Sequence, residues 1–229
     1  MKSLKINSSQ PYQVLIGTEI LGNTGQYLRE YGTDRKIAVV SDDITGRLFG
    51  SAVQKSLSAA GFQNCLFSFP NGEPSKNLTT LREIYSFFAR EEISRSDLVI
   101  ALGGGVVGDL TGFAAATWLR GLDYIQIPTT LISQTDSSVG GKTAVDLPEG
   151  KNLCGFFHQP RLVICDVALL KGTALIREGI TEVIKYGLLA DPELFSLLEE
   201  KDVSENLEEI VTRSVSIKSR FVAADEFDR

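Results

Sequence analysis

Two segments of the chain, Ile37-Ala38-Val39-Val40 and Leu98-Val99-Ile100-Ala101-Leu102, are apolar at every position. A strand with one wet face alternates apolar and polar residues, whereas an unbroken apolar run needs cover on both faces. Helices on both sides of a parallel sheet give that cover, so these runs favour an α/β fold. The surrounding pattern agrees. Strands are expected over 12–16, 36–41, 62–69, 97–102, 124–127 and 161–165, alternating with helices over 18–31, 43–60, 77–92 and 106–118. Gly61 reads as a helix stop and Pro70-Asn71-Gly72-Glu73-Pro74 as a loop. After about Val167 only helical segments follow, roughly 174–189, 193–199 and 204–224. The expected organisation is an α/β domain over 1–167 and the beginning of an all-α domain over 168–229. So few helical residues make a poor independent core, and the second domain is expected to be incomplete in this chain.

Composition narrows the function. With 43% apolar residues a sizeable core is possible, and a net charge of -6 without a basic stripe argues against a nucleic-acid binder. Cys65, Cys154 and Cys165 are few and widely spaced, as reduced thiols of a cytoplasmic protein would be. Met1-Lys2-Ser3-Leu4-Lys5 leads into no apolar targeting stretch. No apolar run approaches the ~18 residues of a membrane span.

Residues 97–155 carry the densest chemistry. Gly103-x-Gly105-x-x-Gly108 lies between a strand and a helix, where glycine lets the backbone approach a pyrophosphate and the helix start supplies N–H donors. A tight turn for helix–strand packing explains the same glycines. Gly141-Lys142-Thr143 invites a P-loop reading, but Asp136 stands where that motif needs glycine, and an acid there repels a triphosphate. Asp42, at a strand end, suits either a ribose hydroxyl or the cap of the helix that follows. Glu73 and Lys76 read as solvated loop residues. Arg120, Lys142 and Lys151 are a candidate clamp for a phosphorylated or carboxylated ligand, each alone being an ordinary surface charge.

In the helix over 174–189, Ile180, Val183, Ile184, Gly187 and Leu188 share one face at 100° per residue. Glu178, Glu182, Lys185 and Tyr186 lie opposite, framed by Leu175 and Leu189, as expected of charges facing a cleft; a surface ion pair is the plainer alternative. Glu182 is a candidate metal ligand that needs partners, and the single histidine, His158, sits in an aromatic turn and reads as structural.

Gly-Gly-Gly-Val-Val-Gly-Asp at 103–109, Pro-Thr-Thr at 128–130, Asp-Ser-Ser-Val-Gly-Gly-Lys-Thr at 136–143, Gly-Lys-Asn at 150–152 and Glu-Val-Ile-Lys-Tyr-Gly at 182–187 together resemble the 3-dehydroquinate synthases. The resemblance implies a Rossmann-like N-terminal domain, a helical C-terminal domain and a site in the cleft between them. It implies conversion of 3-deoxy-D-arabino-heptulosonate 7-phosphate to 3-dehydroquinate and phosphate, in the shikimate pathway of aromatic amino-acid biosynthesis. NAD is used transiently, a zinc or cobalt ion sits beside the substrate, and the enzyme is a homodimer. Carried over by matching motif, Asn71, Gly72, Glu73 and Lys76 face the adenosine side of NAD. Gly105, Val106, Val107, Gly108 and Asp109 hold its pyrophosphate, Thr129 and Thr130 its other side, and Asp42 its ribose. Asp136 lies near nicotinamide and substrate, and Lys142 and Lys151 also contact NAD. Arg120, Lys142, Asn152 and Lys185 match substrate contacts, and Glu182 matches a metal ligand. The chain departs from the family at 170–178, and the family's two histidine ligands lie beyond Arg229. A related sugar-phosphate cyclase, of the inosose or amino-dehydroquinate type, and a non-catalytic NAD-binding module are the competing readings.

Overall fold

The computed structural model describes residues 1–172 and 175–229. Among the described residues nine strands occur, in chain order β1 (Lys2–Ile6), β2 (Tyr12–Gly17), β3 (Ile37–Asp42), β4 (Asn64–Phe69), β5 (Leu98–Gly103), β6 (Asp123–Pro128), β7 (Lys142–Leu147), β8 (Gly150–Phe157) and β9 (Leu162–Asp166). Seven of them form one sheet in the order β1-β2-β9-β6-β5-β3-β4, with every pair parallel except β1 with β2. The helices are α1 (Thr24–Tyr27), α2 (Asp43–Thr45), α3 (Ser51–Ala59), α4 (Leu78–Arg90), α5 (Gly105–Thr117), α6 (Leu175–Ala190), α7 (Pro192–Glu200) and α8 (Leu207–Ala224). No described helix is long and apolar enough to cross a membrane.

The continuous apolar strands are covered on both sides. Val39 and Ile100 pack with Val53 and Leu57 of α3 on one face. Ala38, Val40, Val99 and Ala101 pack with Phe87 and Phe88 of α4 and Leu110 of α5 on the other. Each side chain of this size contributes about 1.5–3 kcal/mol on full burial. At the other end of the sheet, Val14, Ile16, Val163 and Cys165 share a core with Val183, Leu194, Ile210, Val211 and Val215 of the last three helices. The helical residues thus bury their apolar stripes on the sheet.

Several elements differ from the sequence expectation. The helix expected over 18–31 is broken into the short α1 and two 3-10 turns, Leu21–Asn23 and Arg29–Tyr31. A side chain at Gly25 would collide with the Ser56 carbonyl of α3, so close packing, not propensity, shapes this segment. The helix over 43–60 contains a π turn at Gly46–Gly50. β1 has no counterpart among the expected strands, because its sequence Lys-Ser-Leu-Lys-Ile is that of a half-solvated edge. The main surprise is β7 and β8, a separate antiparallel hairpin where the sequence suggested phosphate loops. It packs on α5, Gly112 lying so near Thr143 that an added Cβ would come within 2.5 Å of its methyl. The start of the helix expected at Ala174 lies outside the described residues.

Candidate functional site

In open α/β sheets ligands bind beyond the carboxyl ends of the strands, where strand order reverses. Here the reversal falls between β3 and β5, because β4 continues on one side of β3 and β5 pairs on the other. Asp42 ends β3, the 71–76 loop follows β4, Gly105–Asp109 follow β5, and Thr129 and Thr130 follow β6. The nucleotide candidates therefore line one edge of the sheet.

The first turn of α5 is built for an anion. Its cap is Gly104, whose missing side chain leaves the leading N–H groups without a side-chain acceptor, and no acid occupies the turn. An added Cβ at Gly108 would stand 2.8 Å from Gln126 Oε1, so the third glycine of the fingerprint sets helix–strand distance. Thr129 N–H donates to the Gly103 carbonyl at 3.0 Å, joining the β5 and β6 ends. Thr130 instead spends its hydroxyl on Ser133. Asn71 N–H donates to Asp43.

For Asp42 the capping alternative is what the structure shows. Its carboxylate accepts from Ile44 N–H, Thr45 N–H and the Thr45 hydroxyl, and it is buried. Little of it is left for a ribose. Lys76 corrects the sequence reading in the opposite sense: it is buried, with its ammonium 2.5 Å from both Asp109 and Asn152. Burial pushes the Asp109 carboxyl up, and the Lys76 charge works against that rise. Glu73 is half-exposed and pairs with exposed Lys151 at 2.9 Å, which raises the Lys151 pKa.

A cleft of about 790 Å³ opens beside these loops, lined by Asp109, Asp136, Lys142, Asn152, Lys218 and an aromatic wall that includes Phe157. Asp136 lies in a π turn, Ser133–Ser137. Its Oδ1 accepts from Lys218 Nζ of α8 at 2.8 Å and from the Tyr186 hydroxyl of α6 at 2.5 Å. Burial alone would raise this carboxyl, but Lys218, Tyr186 and the nearby Lys185 outweigh it and hold it below the ordinary range. Burial and the Asp136 charge push the Tyr186 hydroxyl far up, so it stays a proton donor. Both of these bonds go to Oδ1, and among the described residues none is donated to Oδ2, which faces a ligand in the cleft as the second oxygen.

The proposed three-charge clamp is split. Lys142 lines the cleft, pairing with Asp228 at 2.9 Å, while Lys151 faces the Glu73 loop. Arg120 is exposed and follows the far end of α5, some ~20 Å of helix from the anion-binding turn. It does not join them. On α6, Glu182 pairs with Lys185, the plainer alternative, and buried Tyr186 on the same helix bonds to Asp136 at the cleft wall. The apolar stripe is only partly inside: Val183 and Gly187 are buried, whereas Ile184 and Leu188 are exposed. The side chain of Leu175 lies outside the described residues. His158 is structural, stacked on Tyr124 and bonded to the Leu122 carbonyl at 2.7 Å, and burial lowers its pKa. Among the described residues no group of three His, Cys, Asp or Glu side chains comes together, so Glu182 has no co-ligands there.

Lys218 escaped the sequence reading. The signal was present: a lysine interrupts the stripe Val211, Val215, Val222 of α8, a buried face where a lone charge needs a partner.

The doubly wound parallel sheet, the glycine-capped start of α5 and the cleft beside the last helix define a Rossmann-like α/β protein. Comparison with known proteins narrows this. Residues 66–178 match the model of the 3-dehydroquinate synthase N-terminal region and 179–229 that of its C-terminal region. The chain belongs to the 3-dehydroquinate synthase family. A 3-dehydroquinate synthase of Streptococcus pneumoniae is 45% identical over 225 residues, covering 95% of this chain and 63% of the relative. That of Streptococcus mutans is 45% identical over 226 residues, 96% of this chain and 64% of the relative. The chain thus spans somewhat under two thirds of these relatives. Among solved structures, a 2-deoxy-scyllo-inosose synthase superposes with TM-score 0.89 at 22% identity, over 100% of this chain and 67% of that one. A 2-epi-5-epi-valiolone synthase from Streptomyces hygroscopicus, with NAD+ and Zn2+ bound, gives 0.85 at 27% identity, over 100% and 65%.

Proposed function

We propose that this chain supplies the nucleotide-binding part and one wall of the substrate cleft of a 3-dehydroquinate synthase, with NAD as cofactor and 3-deoxy-D-arabino-heptulosonate 7-phosphate as substrate. The observation that carries this is the meeting of Asp136, Lys218 and Tyr186, from three elements, beside Lys142 and Asn152 in one cleft of a chain of this family.

NAD fits the residues present. The open first turn of α5, Gly105, Val106, Val107 and Gly108, offers N–H donors to a pyrophosphate. Asn71, Gly72, Glu73 and Thr129 border the same edge. Bound there, NAD supplies a hydride acceptor that hands the hydride back later in the cycle. The chain's own groups do the rest. Asp136 Oδ2, held ionised, accepts a hydrogen bond from a substrate hydroxyl. Lys142, Lys185, Lys218 and Asn152 anchor its anionic groups. A divalent ion does not fit the described residues by themselves, since Glu182 is a single carboxylate. The division near residue 168 and a homodimeric assembly belong to the same proposal, on the strength of the family.

Calorimetric titration with NAD is expected to show one saturable site per chain, without stoichiometric zinc. Absence of NAD binding would sink the nucleotide assignment, and tight stoichiometric zinc would contradict the isolation of Glu182. Phosphate release from the heptulosonate phosphate, measured against glucose 6-phosphate, separates this activity from the inosose type. Release from glucose 6-phosphate alone would overturn it.

A further inference from the structure

Lys76 stands in the loop assigned above to the adenosine side of NAD, yet its ammonium points elsewhere. It lies between Asp109, just past the first turn of α5, and Asn152, on the β7–β8 hairpin, 2.5 Å from each. The side chain is 6% exposed, and an ammonium is kept from water only where partners replace that water. Two further contacts join the loop to the hairpin, and a third braces the hairpin itself. Asp146 N–H donates to the Lys76 carbonyl at 2.8 Å. Lys151 pairs with Glu73 at 2.9 Å. Asn152 N–H donates to Asp146 Oδ1 at 2.8 Å. Asn152 itself holds φ +57°, a left-handed conformation that asparagine tolerates but that its surroundings must select. The hairpin needs such help, since an isolated two-stranded sheet is barely stable in water and β8 is exposed along most of its length.

We infer that Lys76 is a positioning residue: a buried ammonium latch that ties the hairpin bearing Asn152 to the two nucleotide loops, so that ligand binding at those loops fixes the substrate-facing Asn152. The latch goes beyond the proposed function and rests on it only for the identity of the nucleotide. Coupling of this kind is reciprocal: whatever orders the loops on one side of Lys76 must order the hairpin on the other.

The test is backbone amide hydrogen exchange of the hairpin in the 229-residue chain, with and without NAD, in wild type, Lys76→Met and Asn152→Asp. Without NAD, Lys76→Met is expected to speed exchange of the β7 and β8 amides by about tenfold while the β3 and β5 amides stay protected. Asn152→Asp keeps an acceptor for the ammonium and is expected to exchange like wild type. With NAD, hairpin exchange is expected to slow in wild type and to stop responding in Lys76→Met. Unchanged hairpin exchange in ligand-free Lys76→Met would overturn the latch. So would an NAD response in that variant equal to wild type. If wild type binds no NAD, the nucleotide reading fails and the ligand-free comparison still decides the latch. Should Lys76→Met not fold, Asn152→Gly replaces it. Glycine accepts the left-handed backbone and removes only the side-chain link, and exchange of the Lys142–Leu147 amides is read instead.

Discussion

Replacing Lys218 by Met removes one charge from the Asp136 site while keeping the length of the side chain. The ion pair is 2.8 Å long, and its side chains are 25% and 28% exposed. Exposed pairs contribute at most about 1 kcal/mol, and breaking a fully buried pair costs about 3–5 kcal/mol. A pair of this accessibility falls between, and Tyr186 still donates to Asp136, so a loss of about 2 kcal/mol is expected at pH 7. For a chain of this size that lowers Tm by about 4–8 °C. The pH dependence gives the sharper check. Asp136 is held below the ordinary carboxyl range, so its contribution is present above the unfolded value of about 3.9 and is lost as pH falls through the lower folded value. In Lys218→Met the two largest effects opposing burial are gone, and the carboxyl moves up. Urea unfolding of Lys218→Met, Asp136→Asn and the double variant isolates the pair as a coupling energy. A coupling energy below about 0.5 kcal/mol at pH 7 would refute the reasoning. So would one that persists undiminished after Asp136 is protonated.

Arg213 of α8 binds Asp191, Glu193 and Glu209 at 3.0–3.1 Å, joining α8 to the α6–α7 junction. Arg213→Met is expected to cost about 1–2 kcal/mol in urea unfolding, against under about 0.5 for Arg90→Met, whose pair is exposed. A side chain at Gly155 would collide with the Thr143 carbonyl across the hairpin. Gly155→Ala should therefore destabilise by about 1–3 kcal/mol and loosen the hairpin amides, and wild-type exchange rates in that variant would count against the packing described. His158 is half-buried in its stack on Tyr124, and burial lowers its folded pKa. Stability should fall as pH drops below the unfolded value of about 6.5, and His158→Phe should flatten that slope; an unaltered Tm profile between pH 7.5 and 5 would exclude His158 as its source.

The local chemistry was legible in the chain. An apolar run such as Leu98–Leu102 has one stable environment, a doubly covered strand, and a glycine turn after it exposes helix N–H donors wherever the strand sits. The helix expected over 77–92 is α4, and the structure adds its cap, Asn77 Oδ1 accepting from Thr79 and Thr80 N–H. The family motifs added the cofactor and substrate expectations residue by residue. What sequence separation hid was pairing. Asp42 offered two uses, and only burial against Thr45 chose the cap. Lys76 lies in a loop whose own composition leaves it in water, and Asp109 and Asn152, distant in sequence, close on it in the structure.

The hairpin, the isolation of Arg120 and the Lys218–Asp136–Tyr186 contact were likewise decided only by the tertiary structure. A sequence states which groups a chain owns and the period with which it repeats them, and this determined the α/β layering and the phosphate-type glycine turn. Whether a lysine becomes solvent, clamp or latch depends on whether a carboxylate arrives within about 3 Å to replace its water. That arrival is a property of the packed sheet, and for Lys76 and Lys218 it moved a surface charge to the interior of the site.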